Sequence, residues 1–226
     1  QKIIDHLVIV YRTFRNTMRF MLGNLSDYDS TFQIQDSELL EVDRWAMENF
    51  HRLVNVVTQY YQDCLFHKGI NEIFDFCNID MSSFYLDYLK DRLYTHGKNS
   101  TSRKAAQKVL YEILNGLIVM LAPVLSFTCE EAYSFMPEKK QESVFLEQWP
   151  ETKEPDNLLL ERWQKFFEFR KLILKQIEQQ RAAGNIGSSL EASIFVKADA
   201  DYQQFLESFH PYLTNLLMIA EIHIEN

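Results

Sequence analysis

Apolar residues at helical spacing constrain the fold of this chain more than any other feature. The clearest case is the first segment, where they recur every three or four positions and define one helix face: Ile4, Leu7, Val8, Tyr11, Phe14, Met18 and Leu22. Only 6 glycines and 5 prolines interrupt the 226 residues, too few for a fold of many short strands. The sequence therefore predicts a mainly α fold, and helices of this length favour packing in a bundle.

Turn and capping residues divide the helical pattern into segments. Gly23-Asn24 ends the first helix, Ser37 can cap the second, and Pro123 breaks the helix that precedes it. The predicted helices span residues 1–22, 37–67, 70–78, 102–121, 127–135 and 158–183, and a further one begins at Asp80 or Ser82 and ends at Tyr94.

The pattern changes after Gly184. Residues 190–196 show an alternating pattern of apolar and polar side chains and include β-branched ones, which predicts a strand. A short helix over residues 202–209 and a second strand over residues 216–224 complete a β-α-β element. The predicted domains are therefore a helical bundle over residues 1–157 and a long helix plus a small β-α-β subdomain over residues 158–226.

Composition and charge point in different directions about function. Hydrophobic residues make up 46% of the chain, as expected for a folded globular protein. The formal net charge of -9 disfavours nucleic-acid binding, which usually needs a basic surface. That objection weakens if the basic residues cluster on one surface, or if other parts of a longer protein supply positive charge.

No pattern predicts catalysis, a metal site or a membrane span. Cys64, Cys77 and Cys129 lack the spacing of a disulfide framework or a zinc site, and reduced thiols in the cytoplasm are expected. The loop at residues 184–189 follows a helix and precedes a strand, the reverse of a phosphate-binding order, so we interpret it as a turn. The chain lacks an initiator Met and opens in mid-pattern, which indicates part of a longer protein.

The first helix carries the most informative polar pattern. Arg12, Arg15 and Arg19 are spaced by three and four, so they lie on one face. A row of guanidinium groups can contact successive phosphates bidentately. Asn16 and Phe20 lie nearby and could read or stack on unpaired bases. From spacing alone, arginines paired with acidic neighbours inside a bundle are an equal alternative.

A second basic group surrounds the predicted loop before residue 102. It comprises Lys90, Arg92, Lys98, Arg103, Lys104 and Lys108. Without a fold, a solvated surface is the favoured interpretation of this group, and Lys98, Arg103 and Lys104 are the weaker nucleic-acid candidates.

Four segments, in order along the chain, resemble one family. Residues 11–25 contain an Arg-Asn-Thr-x-Arg-Phe core from Arg15 to Phe20, and this core is characteristic of the helix that opens the anticodon-binding domain of isoleucyl-tRNA synthetases. Residues 80–94, 121–131 and 178–192 are similar to further signatures of that family or of related class I synthetases.

The resemblance implies a class I synthetase anticodon-binding helical bundle followed by a small α/β junction subdomain. The parent enzyme uses ATP to activate isoleucine and transfers it to tRNA(Ile), whereas the HIGH and KMSKS motifs, the editing domain and the four-cysteine zinc module are absent here. The chain is therefore expected to hold no cofactor itself, while ATP, and zinc in many relatives, belong to the full-length enzyme. The expected partners are the anticodon stem and loop of tRNA(Ile) and the enzyme's own catalytic domain, in a cytoplasmic monomer that contacts no membrane.

Two alternatives stay open at this stage. The equivalent domain of a valyl or leucyl enzyme is disfavoured by the Arg-Asn-Thr-x-Arg-Phe core, because valyl enzymes have an Asn-Lys-x-x-Asn pattern there. A helical protein-interaction module that binds no nucleic acid is favoured by the net charge and opposed by the four segments. The leading hypothesis places Arg12, Arg15, Asn16, Arg19 and Phe20 on the anticodon limb.

Overall fold

A computed structural model describes residues 2–138 and 141–225, with side chains from Ile4 onward. The chain divides into two compact units, Gln1–Asp156 and Asn157–Asn226. Helices dominate the first unit, and the second combines helices with two short strands. The expectation of a mainly α fold is confirmed.

The helices of the first unit follow one another with short connections. They are α1 Lys2–Asn24, α2 Glu41–Gln62, α3 Phe66–Asp75, a π-helix Phe76–Tyr85, α4 Leu86–Thr95, α5 Thr101–Leu121 and α6 Ser126–Ser134, with 3-10 turns at Asp36–Glu38 and Val144–Leu146. Helix α5 lies in the centre, because it packs against α1, α2, α4 and α6. Gly116 lets the ring of Phe50 from α2 approach the α5 backbone where a Cβ would collide with it.

The prediction for the buried face of α1 was partly wrong. Phe14 and Met18 are buried as expected, but Ile4, Leu7 and Val8 are exposed. The buried side of α1 is formed instead by Val10, Phe14, Thr17, Met18 and Met21. Helical spacing identifies an apolar stripe, but whether a neighbour covers it depends on the other helices, and here the first turns of α1 remain uncovered.

The predicted interruption near residue 79 does not occur. Instead α3, the π-helix and α4 run continuously from Phe66 to Thr95. The backbone N–H of Leu86 donates to the carbonyl of Met81, five residues back, which is the π-helical pattern. The wider turns continue the helix through the Asn78-to-Ser83 stretch, whose polar residues had indicated a break.

The second predicted helix is shorter than expected at both ends. It begins at Glu41 and not at Ser37, with Leu40 at the N-cap, and it ends at Gln62 and not near His67. Cys64 has φ 58, in the left-handed region, and a new helix starts at Phe66. The apolar pattern continues through this sharp turn, so periodicity alone could not reveal it.

A buried ion pair ties four elements of the first unit together. The guanidinium of Arg92 in α4 donates to both oxygens of Asp43 in α2, at 2.7 and 2.8 Å. The hydroxyl of Tyr85 donates to the same carboxylate at 2.8 Å, and Arg92 also donates to the hydroxyl of Ser102 in α5. Arg92, which belonged to the second basic group, therefore has a structural role.

The second unit pairs one long helix with a small parallel sheet. Its elements are α7 Asn157–Ala182, a 3-10 turn Ser189–Glu191, β1 Ser193–Lys197, α8 Ala200–Glu207, α9 Leu213–Leu217 and β2 Glu221–Glu225. The strands run parallel, with Ser193 opposite Glu221 and Lys197 opposite Glu225. Trp163 and Phe166 of α7 pack against Phe209, which follows α8, and form the aromatic core of this unit.

The β-α-β order is confirmed, but the second predicted strand began too early. Residues Leu213–Leu217 form α9, and Met218 adopts a left-handed conformation with φ 56 before β2 starts at Glu221. The apolar run Leu216-Leu217-Met218-Ile219 looks the same in a buried helix end as in a strand, which explains the error. No helix within residues 2–138 and 141–225 is long and apolar enough to cross a membrane.

Candidate nucleic-acid interface

The three arginines of α1 form a row on the exposed side of the helix. Arg12, Arg15 and Arg19 are all exposed, and in the described part of the chain neither Arg12 nor Arg19 has an ion-pair partner. Helix α1 carries these three arginines and Lys2 against a single carboxylate, Asp5. The row is thus a local positive surface on a chain whose net charge is negative.

Arg15 is the one member of the row with an acidic neighbour. Its guanidinium lies 3.7 Å from a carboxylate oxygen of Glu131 in α6, and both side chains are more than half exposed. Exposed pairs of this kind contribute about 0–1 kcal/mol, so a phosphate can displace the carboxylate at little cost. The alternative in which bundle carboxylates bury all three arginines does not describe this structure.

Tyr11 orients Arg15, the middle member of the row. Its hydroxyl shares a hydrogen bond of 3.2 Å with the hydroxyl of Thr128 in α6. Hydrogen bonds with Thr128 and then with Arg15 lower the pKa of Tyr11, while the interaction with Tyr11 raises the pKa of Arg15. These contacts hold the Arg15 side chain over the space between α1 and α6, and the guanidinium keeps its charge.

Asn16 and Phe20 occupy different environments. Asn16 is exposed beside the arginines, so its amide is available for hydrogen bonds to a ligand. Phe20 is half-buried, and its carbonyl accepts a hydrogen bond from the side chain of Asn24 at 2.8 Å. Of the two, Asn16 has the better access to a nucleotide.

A groove of about 470 Å³ runs beside the arginine row. Helix α1 supplies Arg15 and Arg19 to one wall. Thr128 and Glu131 of α6 and its C-cap residue Phe135 form the other wall. The aromatic ring of Phe135 is 69% exposed. Guanidinium groups opposite an accessible aromatic ring are suited to a single-stranded nucleic acid, which offers phosphates and unstacked bases together.

The contribution of α6 was not predicted from the sequence. Glu130 accepts hydrogen bonds from Ser143 and the backbone of Val144, and Glu131 faces Arg15. Phe127, at the start of α6, is 93% exposed and adds a second accessible ring. The spacing of Thr128, Glu131 and Phe135 by three and four was the available signal for a shared face.

The second basic group mainly anchors the connection between α1 and α2. Arg103 donates two hydrogen bonds of 2.9 Å to the carboxylate of Asp27. Lys108 donates to the carbonyl of Ile34, and the ammonium of Lys104 lies 5.7 Å from the ring centre of Phe32. Lys98 is exposed in the loop before α5. Arg103 is thus engaged within the fold, and Lys98 is the most accessible member of the group.

The Asp27–Arg103 ion pair is expected to make the stability of the fold depend on pH. Hydrogen bonding to Arg103 is the largest cause that lowers the pKa of Asp27 to about 2. Because the pKa of Asp27 is lower in the folded state, the pair stabilises the fold fully at pH values above about 4, the pKa of an unfolded Asp. This stabilisation is lost as the pH falls toward 2. We expect Asp27→Asn to cost about 1–2 kcal/mol at pH 7, an amount reduced by solvent screening.

Urea unfolding at pH 7 and pH 3 measures this difference. The difference in the free energy of unfolding between the wild type and Asp27→Asn should be smaller at pH 3 than at pH 7. Asp36→Asn is the matched control, because Asp36 lies 3.6 Å from Lys108 with its side chain 92% exposed. An equal effect of the two substitutions would contradict a specific role for Asp27.

The described residues do not form a metal centre. No group of three or more His, Cys, Asp or Glu side chains among residues 2–138 and 141–225 is arranged to hold a metal ion. Burial raises the pKa of the Cys77 and Cys129 thiols to about 12, so neither is a ready thiolate ligand. The zinc ion that the resemblance implies for many relatives has no site among these residues.

Comparison with known proteins decides the family. The sequence model described as the anticodon-binding domain of tRNA ligase matches residues 43–196. The chain belongs to this family. In this anticodon-binding domain, α1, the helix that carries the arginine row, precedes the matched region.

Curated relatives of this anticodon-binding domain are similar along almost the whole chain. An isoleucine–tRNA ligase from Kosmotoga olearia is 41% identical over 226 residues, 97% of this chain and 24% of that protein. The isoleucine–tRNA ligase from Natranaerobius thermophilus is 39% identical over 100% of this chain and 25% of that protein. A third, from Carboxydothermus hydrogenoformans, is 42% identical over 96% of this chain and 24% of that protein.

The chain thus spans about a quarter of the length of the curated relatives that it matches. The family match opposes the alternative of a helical protein-interaction module without nucleic-acid binding. The names of these relatives favour the isoleucyl enzyme over the valyl and leucyl alternatives. The roles of individual residues rest on the geometry described above.

Proposed function

We propose that this anticodon-binding domain holds the anticodon stem and loop of tRNA(Ile) along the exposed side of α1, as part of an isoleucine–tRNA ligase. The observation that carries the proposal is the row of exposed arginines, in which Arg12 and Arg19 have no ion-pair partner in the described part of the chain. In this role the domain positions the tRNA, while the rest of the ligase uses ATP to join isoleucine to it.

Each group at the interface has a distinct proposed task. Arg12, Arg15 and Arg19 contact phosphates of the anticodon limb, because guanidinium groups bind phosphate oxygens bidentately. Asn16 reads the edge of an unpaired base, and the half-buried ring of Phe20 lies beside it on α1. Lys98 supplies a further phosphate contact, whereas Lys104 and Arg103 chiefly shape the neighbouring surface.

The groove between α1 and α6 supplies a place for an unstacked base. Phe135, at the C-cap of α6, lines it, and Phe127 lies about two turns earlier, in the first turn of α6. Stacking of a base on an aromatic side chain contributes about 1–3 kcal/mol, and loop nucleotides are more accessible to it than paired ones. This arrangement favours the anticodon loop over a continuous duplex.

We expect a monomeric ligase in the cytoplasm, with ATP bound by parts of the protein outside this chain. Any zinc ion is likewise assigned to those parts, since the described residues have no arrangement that would hold one.

We expect Arg15→Ala to weaken binding of a tRNA(Ile) transcript by about 1–3 kcal/mol, because a charged phosphate contact is lost. Filter binding at fixed ionic strength measures the dissociation constants. Arg44→Ala, which removes an exposed arginine from α2, is the matched control and should have a smaller effect. Unchanged affinity of Arg15→Ala would exclude Arg15 from the contact.

Specificity for the anticodon is tested by gel-shift titration with isoacceptor transcripts whose anticodons have been swapped. Tighter binding of the isoleucine anticodon supports base reading at this interface. Equal binding of all transcripts would restrict the role of the domain to phosphate contacts.

A further inference from the structure

We infer that Glu131 selects a guanine base in the groove between α1 and α6, by accepting hydrogen bonds from the base with both oxygens of its carboxylate. The inference deepens the proposed function and rests on it, because it assumes that an unstacked base of the RNA enters this groove. It gives the groove a preference among bases, which contacts to phosphates alone do not provide.

The carboxylate of Glu131 is an unexpected group in a surface that binds phosphate. It lies on the α6 wall of the groove, opposite Arg15 and Arg19, and its side chain is 58% exposed. A carboxylate repels the phosphates that the arginine row attracts, so it lowers the affinity for RNA of any sequence. A contact that only some bases can make accounts for its position.

The hydrogen-bonding capacity of this carboxylate is unused within residues 2–138 and 141–225, where it accepts no hydrogen bond. Atom Nη1 of Arg15 lies 3.7 Å from Oε2 of Glu131, which is too far for a hydrogen bond. The neighbouring Glu130 differs, because it accepts hydrogen bonds from Ser143 and from the backbone of Val144. Both oxygens of Glu131 are therefore available to donors on a ligand.

The rest of the groove is suited to a flat base. Met18 of α1 and Ala132 of α6 are buried and line its apolar part. The accessible ring of Phe135 follows Glu131 by four residues, so the two side chains lie on the same face of α6. A base that stacks on this ring has the carboxylate within reach of its edge.

Two adjacent acceptor oxygens match guanine better than any other base. A carboxylate accepts hydrogen bonds and donates none. Guanine has two donors side by side on its Watson–Crick edge, the N1–H and the 2-amino group, and unstacked bases in RNA are read on this edge. Adenine and cytosine have one amino group beside an acceptor, and uracil has one N–H between two carbonyls. Glu131 can thus bind guanine through both oxygens and each other base through one.

The interaction with Arg15 does not prevent this role. An ion pair between two exposed side chains contributes little to stability, so it can be exchanged when RNA binds. A phosphate that takes the guanidinium of Arg15 releases the carboxylate of Glu131 to the base. One binding event then provides a phosphate contact for Arg15 and a base contact for Glu131.

Stem-loop RNAs that differ at a single loop nucleotide test this assignment. Each loop position in turn carries guanosine, inosine, adenosine or uridine, and fluorescence anisotropy at fixed ionic strength gives the dissociation constants for this chain. Inosine retains the N1–H but lacks the 2-amino group, so it isolates the second hydrogen bond. At one loop position we expect guanosine to bind about tenfold more tightly than the other three nucleosides.

Glu131→Gln is expected to reduce this preference to within about twofold, because the carboxamide replaces one acceptor oxygen with a donor. The variant should also bind the adenosine and uridine RNAs more tightly than the wild type does, since a repelling charge is lost. Glu112→Gln is the matched control, because it removes the same charge from an exposed position of α5 outside the groove. We expect this control to keep the tenfold preference.

Three outcomes would overturn the inference. They are a wild type without a guanosine preference at any loop position, an equal loss of preference in Glu112→Gln, and a Glu131→Gln variant that changes the affinity for every RNA by the same factor. The last outcome means that Glu131 contacts a ribose or only positions Arg15. Failure of the proposed function appears differently, as unchanged binding of every RNA by Arg15→Ala.

Discussion

Asp43→Asn is expected to lower the free energy of unfolding by about 3–5 kcal/mol, because it removes the charge that compensates a buried guanidinium. The carboxylate of Asp43 is fully buried and accepts hydrogen bonds from both Arg92 and Tyr85. The same guanidinium also donates to Ser102, so the loss affects contacts among α2, the π-helix, α4 and α5. This is the largest stability effect that we expect from a single substitution.

Urea unfolding followed by far-UV circular dichroism measures this effect. Asp87→Asn is the matched control, since Asp87 forms an ion pair with Lys90 on the same α4 helix, where the two side chains are 39% and 55% exposed. We expect that control to cost about 0–1 kcal/mol. Similar midpoints for the two variants would show that the buried pair does not hold the bundle together.

Replacing Arg12, Arg15 and Arg19 together by Gln is expected to weaken binding of tRNA(Ile) by on the order of a hundredfold. It should also lower the slope of log K against log salt concentration by about 2–3, because three phosphate contacts no longer release counterions. Binding isotherms at several salt concentrations, followed by fluorescence anisotropy, give both quantities. The reduced slope separates lost phosphate contacts from a loss of folding, which circular dichroism checks independently.

The control for this triple variant removes the same net charge elsewhere. Arg44, Lys171 and Lys175 are exposed cations outside α1, and their joint replacement by Gln also lowers the net charge by three. We expect the control to change the slope by less than the α1 variant. Equal slopes for the two variants would mean that overall charge, and not the arginine row, determines binding.

Much of the fold could be predicted because local patterns determined it. Helical spacing located most of α1, α5 and α7, and the change to alternating residues after Gly184 located the strand-forming tail. Spacing by three and four also placed Arg12, Arg15 and Arg19 on one side of α1, and the structure shows all three exposed. These features depend on residues within a few turns of one another.

The remaining features depend on partners that are distant in sequence. Arg92 finds Asp43 across 49 residues, and Arg103 finds Asp27 across 76, so no local pattern could show that these cations are engaged. The exposure of Ile4 and Leu7 depends on where the other helices end. The wall formed by α6 depends on how it packs against α1, which the spacing of Thr128 and Phe135 alone does not specify.

The central claim is that the exposed side of α1 contacts the anticodon limb, and photocrosslinking from position 16 tests it most directly. p-Benzoylphenylalanine replaces the exposed Asn16, and the crosslinked nucleotides of tRNA(Ile) are mapped by primer extension. We predict crosslinks concentrated in the anticodon stem and loop. Crosslinks mainly in the acceptor arm, or none above the level from the same probe at Arg44, would contradict the claim.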